Sequence, residues 1–136
     1  MDKEENIQEK YKQFKLIQNQ IEQVSKHLQL WSEQIEEIEN SKQALEELAK
    51  VSLGSEMLVP MADGIFVRAN FADKETVIIN VGADTAVEKS FPQGIELLEK
   101  QREDILQRIA QAETVLEEMQ VEAMRIYKIV EELAKE

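Results

Sequence analysis

The fold is decided by residues 95–133, IELLEKQREDILQRIAQAETVLEEMQVEAMRIYKIVEEL. Apolar side chains recur through this stretch at alternating steps of three and four residues, with one polar interruption at Arg102. The positions are Ile95, Leu98, Arg102, Ile105, Ile109, Ala112, Leu116, Met119, Ala123, Ile126, Val130 and Leu133. A period of about 3.5 residues keeps one apolar stripe facing a partner helix, so this stretch predicts one helix of a coiled coil.

The partner helix comes from the N-terminal part of the chain. The same spacing connects Phe14, Ile17, Ile21, Val24, Leu28, Trp31, Ile35, Ile38, Lys42 and Leu45. We expect helices over about residues 5–51 and about residues 91–135, separated by strands at about residues 56–90, in a single domain covering 1–136. Gly54 provides a stop for the first helix, and Ser90 before Phe91-Pro92 provides a cap for the second.

Two helices of equal length joined by a compact connector fold back most simply as an antiparallel pair, in which opposed residues have numbers summing to about 140. Trp31 would then lie beside the small Ala112. Lys42 and Arg102 could reach flanking carboxylates such as Glu46 and Glu103. Their role is either to fix the register of the helices or simply to extend their charges into solvent.

The connector has the composition of strands. Residues 56–60, 65–71, 76–81 and 85–88 are rich in β-branched and aromatic residues, and Asp63-Gly64, Asp73-Lys74 and Gly82-Ala83-Asp84 supply turns. The sequence therefore predicts two β-hairpins.

Two hairpins without a covering layer are marginal in water and expose unpaired edges, so we expect an obligate oligomer in which other subunits join them into a closed or stacked sheet, the hub from which the coiled coils project. The residues expected in this subunit interface are Leu58, Val59, Ile65, Val67, Phe71, Val77, Ile79, Val81 and Val87. The predicted fold class is therefore α+β: a long antiparallel two-helix coiled coil whose hairpins, at one end, oligomerise into a hub.

Composition argues against several functions. With 16 basic and 28 acidic residues the net charge is -12, which disfavours nucleic acid and anionic membranes as partners. The chain has no cysteine and opens on the polar MDKEEN, so we expect a cytoplasmic protein without disulfides. A single histidine, His27, leaves no familiar metal site, and the glycines form no nucleotide-binding motif, so we expect no catalytic residues, no metal and no cofactor.

Near the chain termini, apolar residues extend beyond the seam, at Tyr11 and Leu16 on the first helix and at Val121, Met124, Tyr127 and Ile129 on the second. Such a surface suits contact with non-native apolar segments, or else it is a broad seam or a site of packing between helix tips. We call proteins that present such non-native segments clients. The residues expected to bind clients are Ile7, Tyr11, Phe14, Met124, Tyr127, Ile129, Val130 and Leu133.

The order of helix, two hairpins and helix, together with Met57-Leu-Val-Pro60, Val81-Gly82 and Ala86-Val-Glu-Lys89, resembles the alpha class of the prefoldin family (also called GimC), most like its archaeal members. The resemblance implies an ATP-independent holding chaperone, not an enzyme. In that family two alpha-class subunits assemble with four beta-class subunits through a double β-barrel, hold unfolded chains between coiled-coil tips, and pass them to a group II chaperonin. The sequence after Leu133 has no long charged tail like that of some family members, so we do not expect a handover by such a tail.

A second hypothesis is a structural protein, similar to gamma-type prefoldins, whose hub polymerises into filaments with the coils as spacers. A third, an enzyme, would require tight binding of a metal or nucleotide by the purified protein.

Overall fold

The structure is a computed structural model and describes residues 2–135. Its elements are α1 (Lys3–Leu48), β1 (Glu56–Ala62), β2 (Ile65–Asn70), β3 (Thr76–Gly82), β4 (Thr85–Ser90) and α2 (Phe91–Lys135). Strands β1 and β2 form one antiparallel hairpin, and β3 and β4 form another. The predicted combination of two long helices with two hairpins is confirmed.

The chain divides into two compact units. The first contains the residues up to Ile35 and those from Asp104 onward, and the second spans Glu36–Glu103. Each unit has its own pairing of α1 with α2.

In the first unit, burial follows the seven-residue pattern. Seam residues of both helices are half-buried, and Ala123 and Ile126 are buried. The rings of Phe14 and Tyr127 lie 5.8 Å apart, and Trp31 borders the same cleft as Ala112. These neighbours confirm an antiparallel pair and the predicted register.

In the second unit, the two polar seam residues bind across the helix pair. Lys42 Nζ lies 2.9 Å from Glu99 Oε1, and Arg102 Nε lies against Glu39 Oε1, although without the alignment of a hydrogen bond. We expected carboxylates on the same helix, Glu46 and Glu103. The ion pairs form with the facing helix instead, and Glu46 contributes to Lys42 only as a nearby charge. In an antiparallel pair a side chain at the seam is directed toward the facing helix, so the carboxylate there is the nearer partner.

Regular pairing in both hairpins ends at tight turns. Val59 pairs with Val67 in the first hairpin, and Ile79 pairs with Val87 in the second. Gly64 has φ of 74°, as expected for an Asp-Gly turn. In the second turn positive φ extends to Ala83 and Asp84, at 52° and 56°.

The two helices connect to the hairpins differently. Helix α1 ends at Leu48, earlier than expected, and residues 49–55 form turns in which the Gly54 N–H donates to the Phe71 carbonyl. Helix α2 begins directly after β4. Ser90 caps it as predicted: the Gln93 N–H donates to Ser90 Oγ, and the Ser90 N–H donates to Gln93 Oε1.

The second unit has a small apolar core where the helices meet the hairpins. Phe71 and Phe91 are buried with their rings 6.4 Å apart in an edge-on contact, and Leu98 is buried as well. A Cβ at Gly94 would lie 2.9 Å from Ile79 Cδ1, so the absence of a side chain there lets β3 approach α2 closely.

Candidate functional site

An apolar groove runs between the two helices of the first unit. We call it the terminal groove. It encloses about 670 Å³ and is lined by Phe14, Gln18, Ile21, Glu22, Gln120, Ala123, Met124 and Tyr127. Its side chains are mostly apolar, with two amides and one carboxylate as the polar groups.

The groove exists because of a small residue in the seam. Ala123 occupies a seam position with only a methyl group, and Phe14 and Ile21 approach from the facing helix. Met124 and Tyr127 each lie one residue beyond a buried seam residue, so they flank the seam, and they are 56% and 51% exposed. A depression with apolar walls therefore stays open to solvent.

A second depression, which we call the outer groove, adjoins the first on α2. It is lined by Glu117, Gln120, Val121, Met124, Arg125 and Lys128 and encloses about 510 Å³. Arg125 donates two hydrogen bonds to the Glu122 carboxylate, and these lower the pKa of Glu122 below its ordinary value. Gln120 and Met124 belong to both grooves.

The residues expected to bind clients do not all lie in these grooves. Phe14, Met124 and Tyr127 line the terminal groove, and Tyr11 is exposed outside it, with Lys15 Nζ 5.1 Å from the centre of its ring. The remaining four are half-buried and line neither groove: Ile7, Ile129, Val130 and Leu133.

Sequence reasoning missed the floor and the polar edge of the groove. Ala123 was read only as a seam residue, and Gln18 and Gln120 were not singled out. The available signal was the alanine itself, because a methyl group at a seam position facing larger side chains leaves volume unfilled.

The first hairpin presents apolar residues on both faces. Its pairing places Val59 and Val67 side by side on one face, together with Ile65, and these three are exposed. Leu58 pairs with Arg68 and therefore points to the opposite face, where Phe66 is also exposed. The expected interface residues of this hairpin therefore divide between two faces.

The second hairpin has one face directed toward the helices of its own unit. Val77 and Ile79 are half-buried there, close to Gly94, with Val87 paired to Ile79. Val81 is exposed. Ile78, which is not among the expected interface residues, lies on the other face and is 72% exposed. Phe71 is buried against Phe91 within the unit, so it offers little surface to a neighbour.

The other polar residues considered for chemistry, Asp73 and His27, have surroundings that explain them without a reaction. Asp73 Oδ1 accepts from the N–H groups of Glu75 and Thr76, and Oδ2 accepts from the Thr76 hydroxyl. His27 is exposed and lies 5.8 Å from the Trp31 ring. Within residues 2–135, no group of three His, Cys, Asp or Glu side chains is placed to hold a metal. In the same span, neither helix has an apolar stretch long enough to cross a bilayer.

Comparison with known proteins supplies the family. The family model described as prefoldin subunit matches residues 17–136. Prefoldin subunit alpha of Thermofilum pendens is 28% identical over 97 residues, covering 71% of this chain and 75% of that protein. Prefoldin subunit alpha of Pyrococcus horikoshii is 28% identical over 109 residues, covering 79% and 74%.

A solved structure has the same fold. The cryo-EM structure of filamentous PFD from Methanocaldococcus jannaschii is similar with a TM-score of 0.77 at 17% identity, covering 85% of this chain and 95% of that one. The family match, the archaeal alpha relatives and the shared arrangement of helices and hairpins agree with one another. The chain therefore belongs to the prefoldin family, as a chaperone-type subunit of the archaeal alpha type.

Proposed function

We propose that this subunit holds non-native proteins without using ATP, and that the terminal groove is where it contacts them. The observation that carries the proposal is the exposure of Met124 and Tyr127 beside the apolar floor formed by Ala123. Met124 and Tyr127 lie off the seam, so pairing of the two helices does not account for their apolar side chains. The function needs no catalytic step.

The chemistry of the groove suits clients of many sequences. Methionine adapts its shape to different partners, and tyrosine offers an apolar ring with a polar end. Gln18 and Gln120 provide amides that can both donate and accept hydrogen bonds, as the backbone of an unfolded segment requires. Weak contacts in several subunits would combine into useful affinity, because each bound segment raises the local concentration of the next.

The groove can be tested by changing its exposed walls. Met124→Ser with Tyr127→Ser should weaken suppression of aggregation of an unfolded test protein several-fold while the assembly keeps its mass. The matched control is Leu30→Ser, which changes a similarly exposed apolar residue on α1 outside the groove. Equal suppression by the double variant and the wild type would contradict the proposal.

We infer that the hairpins assemble with other prefoldin subunits into a β-barrel hub, and that two alpha-class chains join four beta-class chains in it. Both strands of each two-stranded sheet have an unpaired edge, and Val59, Ile65 and Val67 are exposed.

We further propose that residues 1–136 act as one domain, that the assembly works in the cytoplasm, and that it passes its clients to a group II chaperonin. Mass measurement of the complex from its own cells tests the composition, and transfer of a labelled client to purified chaperonin tests the delivery.

The alternative is a filament formed through the hub. It is favoured by the similarity in fold to the filamentous PFD of Methanocaldococcus jannaschii and by the apolar residues on both faces of the first hairpin. Sizing the chain alone and with a beta-class partner separates the two functions. A closed hexamer that forms only with the partner supports the holding chaperone, whereas long polymers of the chain alone support the filament.

A further inference from the structure

Met124 lies where the terminal and outer grooves meet, and it is 56% exposed. We propose that Met124 is a site of reversible oxidation, and that its conversion to the sulfoxide turns off the binding of non-native segments. This inference rests on the proposed function of the terminal groove.

Met124 contributes its side chain to the lining of both grooves. It follows the buried seam residue Ala123 and forms a wall shared by the two depressions together with Gln120. The other large apolar side chains of the terminal groove are Phe14, Ile21 and Tyr127, none of which carries an oxidisable thioether. A change in polarity at Met124 therefore alters the apolar character of both grooves at once.

Exposure favours this methionine over most of the others. Within residues 2–135, Met57 and Met119 are half-buried, whereas Met61 and Met124 are 65% and 56% exposed. Met61 lies in the first hairpin, far along the sequence from the groove residues. It therefore serves as an internal comparison that has no part in the groove, and peptide mass spectrometry shows how far it is oxidised in the assembly.

The chemistry is a two-electron oxidation by a peroxide. The O–O bond of hydrogen peroxide breaks as the thioether sulfur bonds to one oxygen, and the other oxygen leaves as water. The sulfoxide is polar and chiral, and the reductases that act on it restore the thioether with electrons from a thiol donor. Because the sulfoxide oxygen demands hydration, an apolar client segment would have to displace that water on binding.

The test uses the assembled protein, treated with hydrogen peroxide and then freed of it. Wild type, Met124→Leu and Met61→Leu are compared, because leucine preserves size and apolarity without an oxidisable sulfur. Peptide mass spectrometry measures the sulfoxide at each methionine, and suppression of aggregation measures client binding. Each variant is compared with its own untreated sample. We expect peroxide to lower the suppression by wild type and by Met61→Leu roughly twofold or more, and to leave that of Met124→Leu at its own untreated level. Methionine sulfoxide reductase with a dithiol should restore the loss.

Two outcomes overturn the inference alone. One is an equal loss in Met124→Leu, and the other is full suppression by wild type in which Met124 is mostly sulfoxide. If the untreated wild type fails to suppress aggregation, the proposed function fails, and this inference fails with it. Unchanged helicity and mass after treatment separate loss of binding from loss of assembly.

Discussion

Asp73 organises the turn between β2 and β3 with its own carboxylate. Hydrogen bonds from the Glu75 N–H, then from the Thr76 hydroxyl and the Thr76 N–H, lower the pKa of Asp73 below its ordinary value of 3.8. Because the pKa is lower in the folded chain, ionised Asp73 stabilises the turn above its unfolded pKa. That stabilisation is lost as the pH falls through the folded pKa.

We therefore predict a local transition at acid pH. The amide proton shift of Thr76, followed by NMR from about pH 6 to pH 2, should titrate with a midpoint below the ordinary aspartate value. Asp73→Asn should abolish the titration. A midpoint at or above the ordinary value would show that the hydrogen bonds do not favour the ionised carboxylate.

The turn of the second hairpin contains a residue in a costly conformation. Ala83 has φ of 52°, a region where the β-carbon of an L-residue is crowded, and Asp84 follows at 56°. We predict that Ala83→Gly stabilises the protein by about 0.5–1 kcal/mol, since relief of the crowding exceeds the extra freedom of glycine in the unfolded chain.

The control for Ala83→Gly is Ala86→Gly in strand β4, which is exposed and has no positive φ. Glycine there should destabilise, because it adds freedom to the unfolded chain without relieving any strain. The thermal midpoints of the two variants, measured at one protein concentration, should shift in opposite directions. A fall in the midpoint of Ala83→Gly would contradict the prediction.

At the scale of elements, two ion pairs of opposite polarity connect α1 and α2 near the hairpins. α1 supplies the cation in the Lys42–Glu99 pair and the anion in the Glu39–Arg102 pair. The Glu99 carboxylate, as hydrogen-bond partner and as nearby charge, raises the pKa of Lys42. A register shift would bring each cation away from its carboxylate, which favours a role in fixing the register.

Charge reversal tests that role. Lys42→Glu places a carboxylate near Glu99, Glu46 and Glu39, so the thermal midpoint should fall by a few degrees. Lys42→Glu combined with Glu99→Lys should recover most of the loss, because the pair is restored with its charges exchanged. If the double variant melts no higher than the single one, the two side chains are not coupled.

Much of the fold followed from local spacing. The seam and the Ser90 cap were predictable because each depends on residues a few positions apart on one helix or at its end. The register was predictable because two helices of equal length are joined by a compact connector. The path from α1 to β1 was not, since residues 49–55 form turns and the Gly54 N–H donates to the carbonyl of Phe71, a residue brought close only by folding of the first hairpin.

The candidate site was predictable only in part. Met124 and Tyr127 lie off the seam, so their exposure could be expected from periodicity. The groove beside them depends on volume left empty opposite Ala123, which periodicity does not measure. Val77 and Ile79 were expected in a subunit interface, and the composition of the strand could not show that they would pack near Gly94 in their own chain.

At the scale of the whole molecule, the exposed face of the first hairpin predicts dependence on neighbouring subunits. Val67→Asp places a charge on the face shared with Val59, where burial in an interface would leave the carboxylate unpaired. We expect the assembly to fall apart into smaller species that retain their helicity, as measured by native mass and circular dichroism.

The control is Asn70→Asp, which introduces the same charge on the opposite face of the same strand. It should leave the mass of the assembly unchanged. Dissociation by both variants would show that the dependence is not specific to the face of Val59 and Val67, since Leu58 and Phe66 are exposed on the other face. If the assembly with Val67→Asp stays intact, this face of the hairpin is not part of the interface.

The two junctions between helix and strand differ in stiffness. Strand β4 ends at Ser90 and α2 begins at Phe91, locked by reciprocal bonds between Ser90 and Gln93, whereas seven residues of turns separate Leu48 from Glu56. Torque applied to the second hairpin by an adjoining subunit would thus pass straight into α2. A torque on the first hairpin would act on the seven intervening residues before it reached α1. Assembly would therefore set the orientation of the helices mainly through α2.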